Sequence, residues 1–423
     1  MRALQRPLSA LHLAGLALAF NLPFALLKAH RGAFDTYVHV FLADHYRGNW
    51  WQLWEPRWYL GFSVASYPPL VHQLIALLAW PAEVVLLAFA PAAELYPGEF
   101  RVLGEEAGFV AVLLATLSLL PLAVRAFARR FVGPGAAEWA GRLACALPAV
   151  SLTAWSFGQL PTLAGTALIM LALAEGLRYA RTGAALPLAR AMALAAGAGA
   201  THHAVFLFAP VAGLAGAARL WLTTPPRGRA RLAARLAVWV GLSAAAVAAV
   251  LWPFLAWSRG QALQTPIDHP RRHNFHQDPT ATQVIIWPMA GPLLLLAPAA
   301  LWRALRSARR VAGRGLPLLL AWALLFILGL GGTTPLPRWL FGAGWEWLTY
   351  DRFGLWAALC FLPLAGGWLL ALWRRGRAWA LALLAALLAS AMLAGWLAVL
   401  TRSQPPALDL TPLVCFLNEP AQR

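Results

Sequence analysis

The chain has 423 residues, of which 61% are hydrophobic and 12% charged, and its 34 basic residues against 16 acidic ones give a formal charge of +18. A soluble domain carries about 25% charged residues, so a soluble globular protein is excluded. The arginines sit in short clusters between apolar runs, with no basic stretch interleaved with aromatics, which excludes a nucleic-acid groove as well.

Apolar runs of about 20 residues, each enough to cross a bilayer, recur along the chain. The first runs from Leu8 to Leu27. Arg2 and Arg6 give it the basic flank of a signal peptide, but it lacks a small-residue cleavage site, so it reads as a retained span. Spans are expected at 8–28, 105–127, 134–155, 159–179, 187–200, 203–222, 231–256, 285–304, 315–332, 353–373 and 378–400. Three basic connectors, Arg227/Arg229/Arg231, Arg303/Arg306/Arg309/Arg310/Arg314 and Arg374/Arg375/Arg377, should be cytoplasmic, together with Arg2 and Arg6. Segments 29–104, 257–284 and 333–352 then face outward. If residues 67–91 crossed once, Arg125, Arg129, Arg130, Arg178 and Arg181 would fall outside and the acidic segment Glu94–Glu106 inside. The expectation is therefore a hairpin in the outer leaflet, broken near Trp80-Pro81. The result is an all-α polytopic membrane protein of about 11 transmembrane helices, with amphipathic helices in the first outer loop, N-terminus cytoplasmic and C-terminus external. Residues 1–400 form the membrane domain, and the tail 401–423 reads as the start of an external domain. Cys145, Cys360 and Cys415 are too far apart in sequence for a disulfide framework or a zinc spacing.

The first outer loop carries "FDTYVHVFLADHYRGNWWQLWEPRWYLGFSVASYPPL", Phe34 to Leu70. A helix is expected after Asp35, and Asp35 and His39, four apart, would share one of its faces. Such a carboxylate can take a proton from an acceptor while the imidazole contacts phosphate. Asp is also a preferred N-cap residue, and the two roles are compatible. Trp50, Trp51, Trp54, Trp58 and Tyr59 form either an interfacial belt or a platform for sugar rings or an isoprenoid chain. Arg57 is placed to pair with Glu55. Tyr67-Pro68-Pro69 sets an extended turn, since proline biases its predecessor away from helix.

Three further polar islands stand out. "DHPRRHNFHQD" holds Asp268, His269, Arg271, Arg272, His273, His276 and Asp278. The histidine spacings suit a metal, the arginine forks suit phosphate, and a merely solvated loop is the plain alternative. This segment is expected to lie over the first outer loop. His202 and His203 interrupt an apolar region, either at a donor site or in helix–helix hydrogen bonds. Asp351-Arg352 reads as an internal ion pair or, with Arg338, as a ligand clamp.

The 34–70 segment resembles the first outer loop of GT-C glycosyltransferases, polytopic enzymes that take a sugar from a polyprenyl-phosphate carrier. Asp35 matches their aspartate after the first span, and Tyr67-Pro68-Pro69-Leu70 matches their Pro-Pro-Leu segment. "LPAVSLTAWSFGQLPTLAG", Leu147 to Gly165, resembles the turn after the third span of the oligosaccharyltransferase catalytic subunit. The likeness, which includes "YDRF" at Tyr350 to Phe353, is nearest to the bacterial membrane proteins labelled 6-pyruvoyl-tetrahydropterin synthase-related. It implies a GT-C-like core in a bacterial cytoplasmic membrane, membrane lipid as surroundings and a polyprenyl-phosphate sugar donor as partner. It also implies sugar transfer at the outer face, with Asp35 as catalytic base. His39, Arg57, Tyr67, His202, His203, His269, Arg271, Arg272, Asp351 and Arg352 are the candidates for binding substrate. One departure matters: the oligosaccharyltransferase turn carries a second acidic residue, and Ser156-Phe157-Gly158-Gln159 has none. That places a divalent cation, Mg²⁺ or Mn²⁺, in question, with Asp44 or Asp268 as replacement ligands. The alternatives are a transporter or lipid flippase and a non-catalytic assembly subunit that keeps the fold.

Overall fold

The computed structural model describes residues 8–57, 61–89, 97–260 and 315–400, with 272, 274, 276, 297–302 and 305–306. The tail 401–423, Trp58, Tyr59, Asp268, His269, Arg271 and most of the expected span 285–304 lie outside the described residues.

Long Leu- and Ala-rich runs form helices because a helix satisfies its backbone groups internally, as a bilayer requires. In chain order they are α1 (Ala10–Leu26), α2 (Thr36–Gly48), α3 (Leu70–Phe89), α4 (Pro97–Ala128), α5 (Pro134–Cys145), α6 (Pro148–Ser151), α7 (Leu160–Thr182), α8 (Ala185–Thr201) and α9 (Phe208–Thr223). There follow α10 (Pro226–Val250), α11 (Trp252–Arg259), α12 (Leu316–Gly329), α13 (Leu336–Phe341), α14 (Asp351–Arg375) and α15 (Arg377–Leu400). Two short strands, β1 (Trp54–Glu55) and β2 (Phe62–Ser63), pair antiparallel. Helices occupy ten of the eleven expected runs. By length and apolarity seven described helices qualify as spans, α3 among them, and α1 and α12 are shorter apolar helices.

Polar contacts fix which end of each helix is which. At one end of α1, Arg125 donates to the Leu8 carbonyl at 2.8 Å and to Glu138 at 3.3 Å. Beyond its other end, His30 and Arg31 meet Glu106. Thus α4 runs antiparallel to α1, and from Glu106 to Arg125 it rises roughly 28 Å, close to the ~30 Å hydrocarbon core. The first turns of α4 extend beyond this crossing part, and there α3 packs. Gly104 faces Ala79 and Glu83, and Gly108 lies so near α3 that a Cβ would come within 2.5 Å of the Ile75 carbonyl. Arg47 of α2 ties Glu83 to Glu105 across the same seam. Both ends of α3 therefore stay on the α2 side of the bundle.

This corrects one expectation. Helix α3 is not broken near Trp80-Pro81; it runs unbroken through Pro81, and the reversal comes between α3 and α4. Pro81 is exposed, so its missing N–H falls away from the glycine seam and costs the helix little of its packing. The exposed face carries Leu74, Leu77, Trp80, Val84 and Leu87.

The other helices share this polarity. Helix α7 runs from Gln159 to Arg181, whose carbonyl meets Arg235 of α10 at 3.1 Å, and α14 runs from Asp351 to Arg374 and Arg375. Arg125, Arg181, Arg235, Arg374 and Arg375 thus lie at the end opposite α2 and α3, whereas Arg31, Arg47, Arg57 and Arg101 at the α2 end are paired with carboxylates. The core between the ends is closed by large aromatics, and the two largest fully buried ones have their ring N–H satisfied. Trp155 donates to Asn21 at 3.0 Å and Trp356 to Thr166 at 2.9 Å.

Candidate active site

The chain leaves α6 through a π-helical turn, Leu152–Ser156, and reverses at Phe157-Gly158 before α7. Such single π turns recur at functional sites. Here the turn holds the start of α2: Phe34 N–H donates to the Ser156 carbonyl at 3.2 Å, and Asp35 N–H to the Phe157 carbonyl at 3.1 Å. Gly158 has φ +69°, and a Cβ there would stand 2.9 Å from the Thr36 nitrogen. Gly158→Ala is therefore expected to cost about 1–3 kcal/mol through backbone strain alone. A thermal denaturation curve superimposable on wild type would contradict this reading of the turn.

Asp35 occupies the N-cap position of α2, but its side chain makes no capping hydrogen bond. It lines a pocket at this end of the bundle with Val38, His39, Tyr67, Pro68, His72, Gln159, Pro161, Thr162, Thr201, His202 and Arg352. Five chain segments meet there: the start of α2, the Tyr-Pro-Pro turn with the first turn of α3, the start of α7, the end of α8 and the start of α14. Of the candidates read from sequence, Asp35, His39, Tyr67, His202 and Arg352 come together in this pocket.

The electrostatics are set by neighbours. His39 Nδ1 lies 3.1 Å from His72 Nε2, and its ring stacks on Phe109 at 6.3 Å. Burial, with the His72 imidazole beside it, holds His39 well below the ordinary histidine value of 6.5, so it is neutral at pH 7 and acts through hydrogen bonds. His202 is pushed the same way by burial and by the Arg352 guanidinium. Partial burial and the Asp35 carboxylate raise the Tyr67 phenol above 10.0, against the pull of Arg352, so Tyr67 remains a donor. Arg352 is then the permanent cation among the described pocket residues.

Other candidates lie elsewhere. Arg57 donates to Glu55 at 2.7 and 2.9 Å and also binds Asp44. Asp44 in turn meets Arg101 at 2.5 Å. Arg57 and Asp44, expected as phosphate holder and metal ligand, are thereby tied into an internal network and are not among the described pocket-lining residues. His203 stacks on Phe254, with ring centres 4.7 Å apart. Asp351 is 1% exposed and accepts from Gln159 Nε2 at 2.9 Å, behind the pocket wall. Arg338 lies over the Trp345 ring at 4.3 Å and does not line the pocket. Arg272 donates to the Leu348 carbonyl at 3.2 Å, just before α14. Of the 257–284 loop, expected over the first outer loop, the described start in α11 packs against residues 64–66.

Sequence reasoning missed His72, Gln159, Thr162 and Thr201. The signal that could have found His72 is a polar side chain two residues past Leu70 in an apolar run, and for Gln159 it is the amide standing where the turn lacks a carboxylate.

The chain aligns with the crystal structure of the Archaeoglobus fulgidus oligosaccharyltransferase in the apo form at a TM-score of 0.55 and 13% identity. The fold is similar to that of an archaeal oligosaccharyltransferase. The alignment covers 98% of this chain and 58% of that one, so this chain spans little more than half of its length. Two further crystal structures of that protein align at a TM-score of 0.47: one in complex with Zn and sulfate (16% identity, 93% of this chain, 52% of that one) and one tethered by a disulfide bond to an acceptor peptide containing the NVT sequon (13% identity, 96% and 57%). No protein-family model matches the sequence, and no curated protein matches it. The likeness is one of fold, and the expected all-α membrane domain agrees with it.

A divalent cation does not suit the described pocket. Mg²⁺ and Mn²⁺ favour oxygen clusters, and Asp35 is the single carboxylate among the described lining residues, set with imidazoles and a guanidinium. Among the described residues no group of three His, Cys, Asp or Glu side chains is placed to hold a metal ion.

Proposed function

We propose that the protein transfers a sugar from a polyprenyl-phosphate-linked donor to an acceptor, with Asp35 as general base. The observation that carries this reading is the Asp35 carboxylate, which lines one pocket together with Tyr67, His202 and Arg352. A base in reach of an acceptor hydroxyl, beside a fixed cation for a leaving phosphate, is what group transfer from a glycosyl phosphate needs. Arg352 neutralises the leaving phosphate while His202 and Tyr67 offer it hydrogen bonds. Asp35 takes the acceptor's proton as its oxygen bonds to the anomeric carbon, and the bond from that carbon to the phosphate oxygen breaks. The GT-C-type fold and the finer likeness to the bacterial 6-pyruvoyl-tetrahydropterin synthase-related membrane proteins support the same reading.

In this reading the arginine-rich end is cytoplasmic and the pocket opens at the outer face of a bacterial cytoplasmic membrane. His269 and Arg271, outside the described residues, join the donor site from the loop before residue 285, and His203 supports His202. A non-catalytic subunit with a retained fold is the competing reading, and the non-acidic SFGQ turn is its support. Mass spectrometry of lipid co-purified in mild detergent discriminates. A polyprenyl-phosphate sugar in wild type, depleted in Arg352→Met, is the expected result; phospholipid alone in both would remove the transferase reading.

A further inference from the structure

Gln159 is 3% exposed, lines the pocket, and gives its Nε2 to Asp351 at 2.9 Å. The amide therefore turns its NH₂ end to the Asp351 carboxylate oxygen. Its other end, Oε1, is buried and has no hydrogen-bond partner among the described residues. A buried acceptor left unmade is costly, and whatever relieves it gains affinity. His202 Nε2, on another wall of the same pocket, is likewise buried without a partner.

We propose that Gln159, locked in one orientation by Asp351, is a specificity-determining residue that reads a hydrogen-bond donor, a hydroxyl or an N–H, on the sugar ring bound in the pocket. The inference rests on the sugar-transfer reading and deepens it. Phosphate oxygens only accept at neutral pH, so they cannot satisfy Gln159 Oε1. The phosphate therefore belongs on the Arg352 side and the ring hydroxyls on the Gln159 side. Asp351 acts at one remove, as a positioning residue. Its carboxylate sits in the first turn of α14, where the helix dipole favours negative charge, and Arg352 follows it directly in sequence. One helix start thus supplies the phosphate's cation and sets the polarity of the sugar reader.

The experiment uses the full chain in nanodiscs and short-chain citronellyl phosphate hexoses (glucose, galactose and mannose). Each parent is compared with analogues in which one ring hydroxyl is replaced by fluorine, which cannot donate. Affinities come from calorimetry, so no turnover is required. Wild type is expected to lose about tenfold in affinity at one ring position. Gln159→Met, of similar volume and without an acceptor, should erase that difference. Asp351→Asn, which frees the amide to flip, should shrink it while both variants keep wild-type melting behaviour. A position-dependent penalty that survives in Gln159→Met, or no penalty at any position, overturns the inference and leaves the sugar-transfer reading standing. Failure of wild type to bind any parent hexose phosphate removes the transfer reading and the inference with it.

Discussion

Asp35→Asn is expected to lower the sugar-transfer rate on the order of 10²–10⁴-fold, the usual weight of a general base, without unfolding the protein. Asn keeps the shape of the side chain but cannot take the acceptor's proton. The helix start does not depend on the carboxylate, because Asp35 makes no side-chain cap. What fixes it is the backbone bond from Asp35 N–H to Phe157, which the substitution leaves intact. Stability should stay within roughly 1 kcal/mol of wild type, since Asn is in any case a good N-cap residue. The measurement is single-turnover transfer at matched folded protein. Equal rates would reduce Asp35 to a structural residue and remove the main reason for calling the chain an active transferase.

The second large effect is on stability. Glu55 is fully buried and accepts from the Arg57 backbone at 2.8 Å, from the Arg57 guanidinium and from His45 at 2.9 Å. Arg57 also binds Asp44, which is 4% exposed. Arg57→Met removes the guanidinium that two buried carboxylates share, leaving Asp44 with Arg101 and Glu55 with His45 and the backbone; breaking a buried pair from one side costs about 3–5 kcal/mol. The lower figure is expected, because the Arg57 side chain is 29% exposed and water can replace part of it. The pH dependence checks the cause. Burial opposes ionisation of Glu55 and Asp44, yet the Arg57 hydrogen bonds outweigh it and hold both below their ordinary 4.5 and 3.8. Depressed carboxyl values give stability that is complete above the unfolded-state values and lost as pH falls through the folded ones. The gap between wild type and Arg57→Met should therefore narrow on acidification, as protonation of Glu55 and Asp44 removes the charge that Arg57 neutralises. A gap constant from pH 7 to about pH 3 would mean that Arg57 contributes packing alone.

Much of this was legible in the sequence because it follows from periodic burial and local chemistry. The helices fall on apolar runs, and Asp35 and His39 share a helix face because four residues make about one turn. The charge asymmetry at residues 67–91 was legible too, and α3 packs along α2 and the first turns of α4. What stayed hidden depends on side chains distant in sequence. Nothing near Asp44 announces that Arg57 and Arg101 will claim it, and nothing near Gln159 announces Asp351, 192 residues away. The unbroken α3 was hidden for another reason: a proline reads as a break unless the glycines that hold the helix, in this case Gly104 and Gly108 on a different helix, are known.

Helix α3 has two unlike faces. Leu74, Leu77, Trp80, Val84 and Leu87 are open, while the opposite face is held close to α4 at Gly104 and Gly108. His72 in its first turn lines the pocket. One rod thus carries both an open apolar surface and a piece of the pocket wall, so a load on that surface would reach the pocket through a helix and not through a loop.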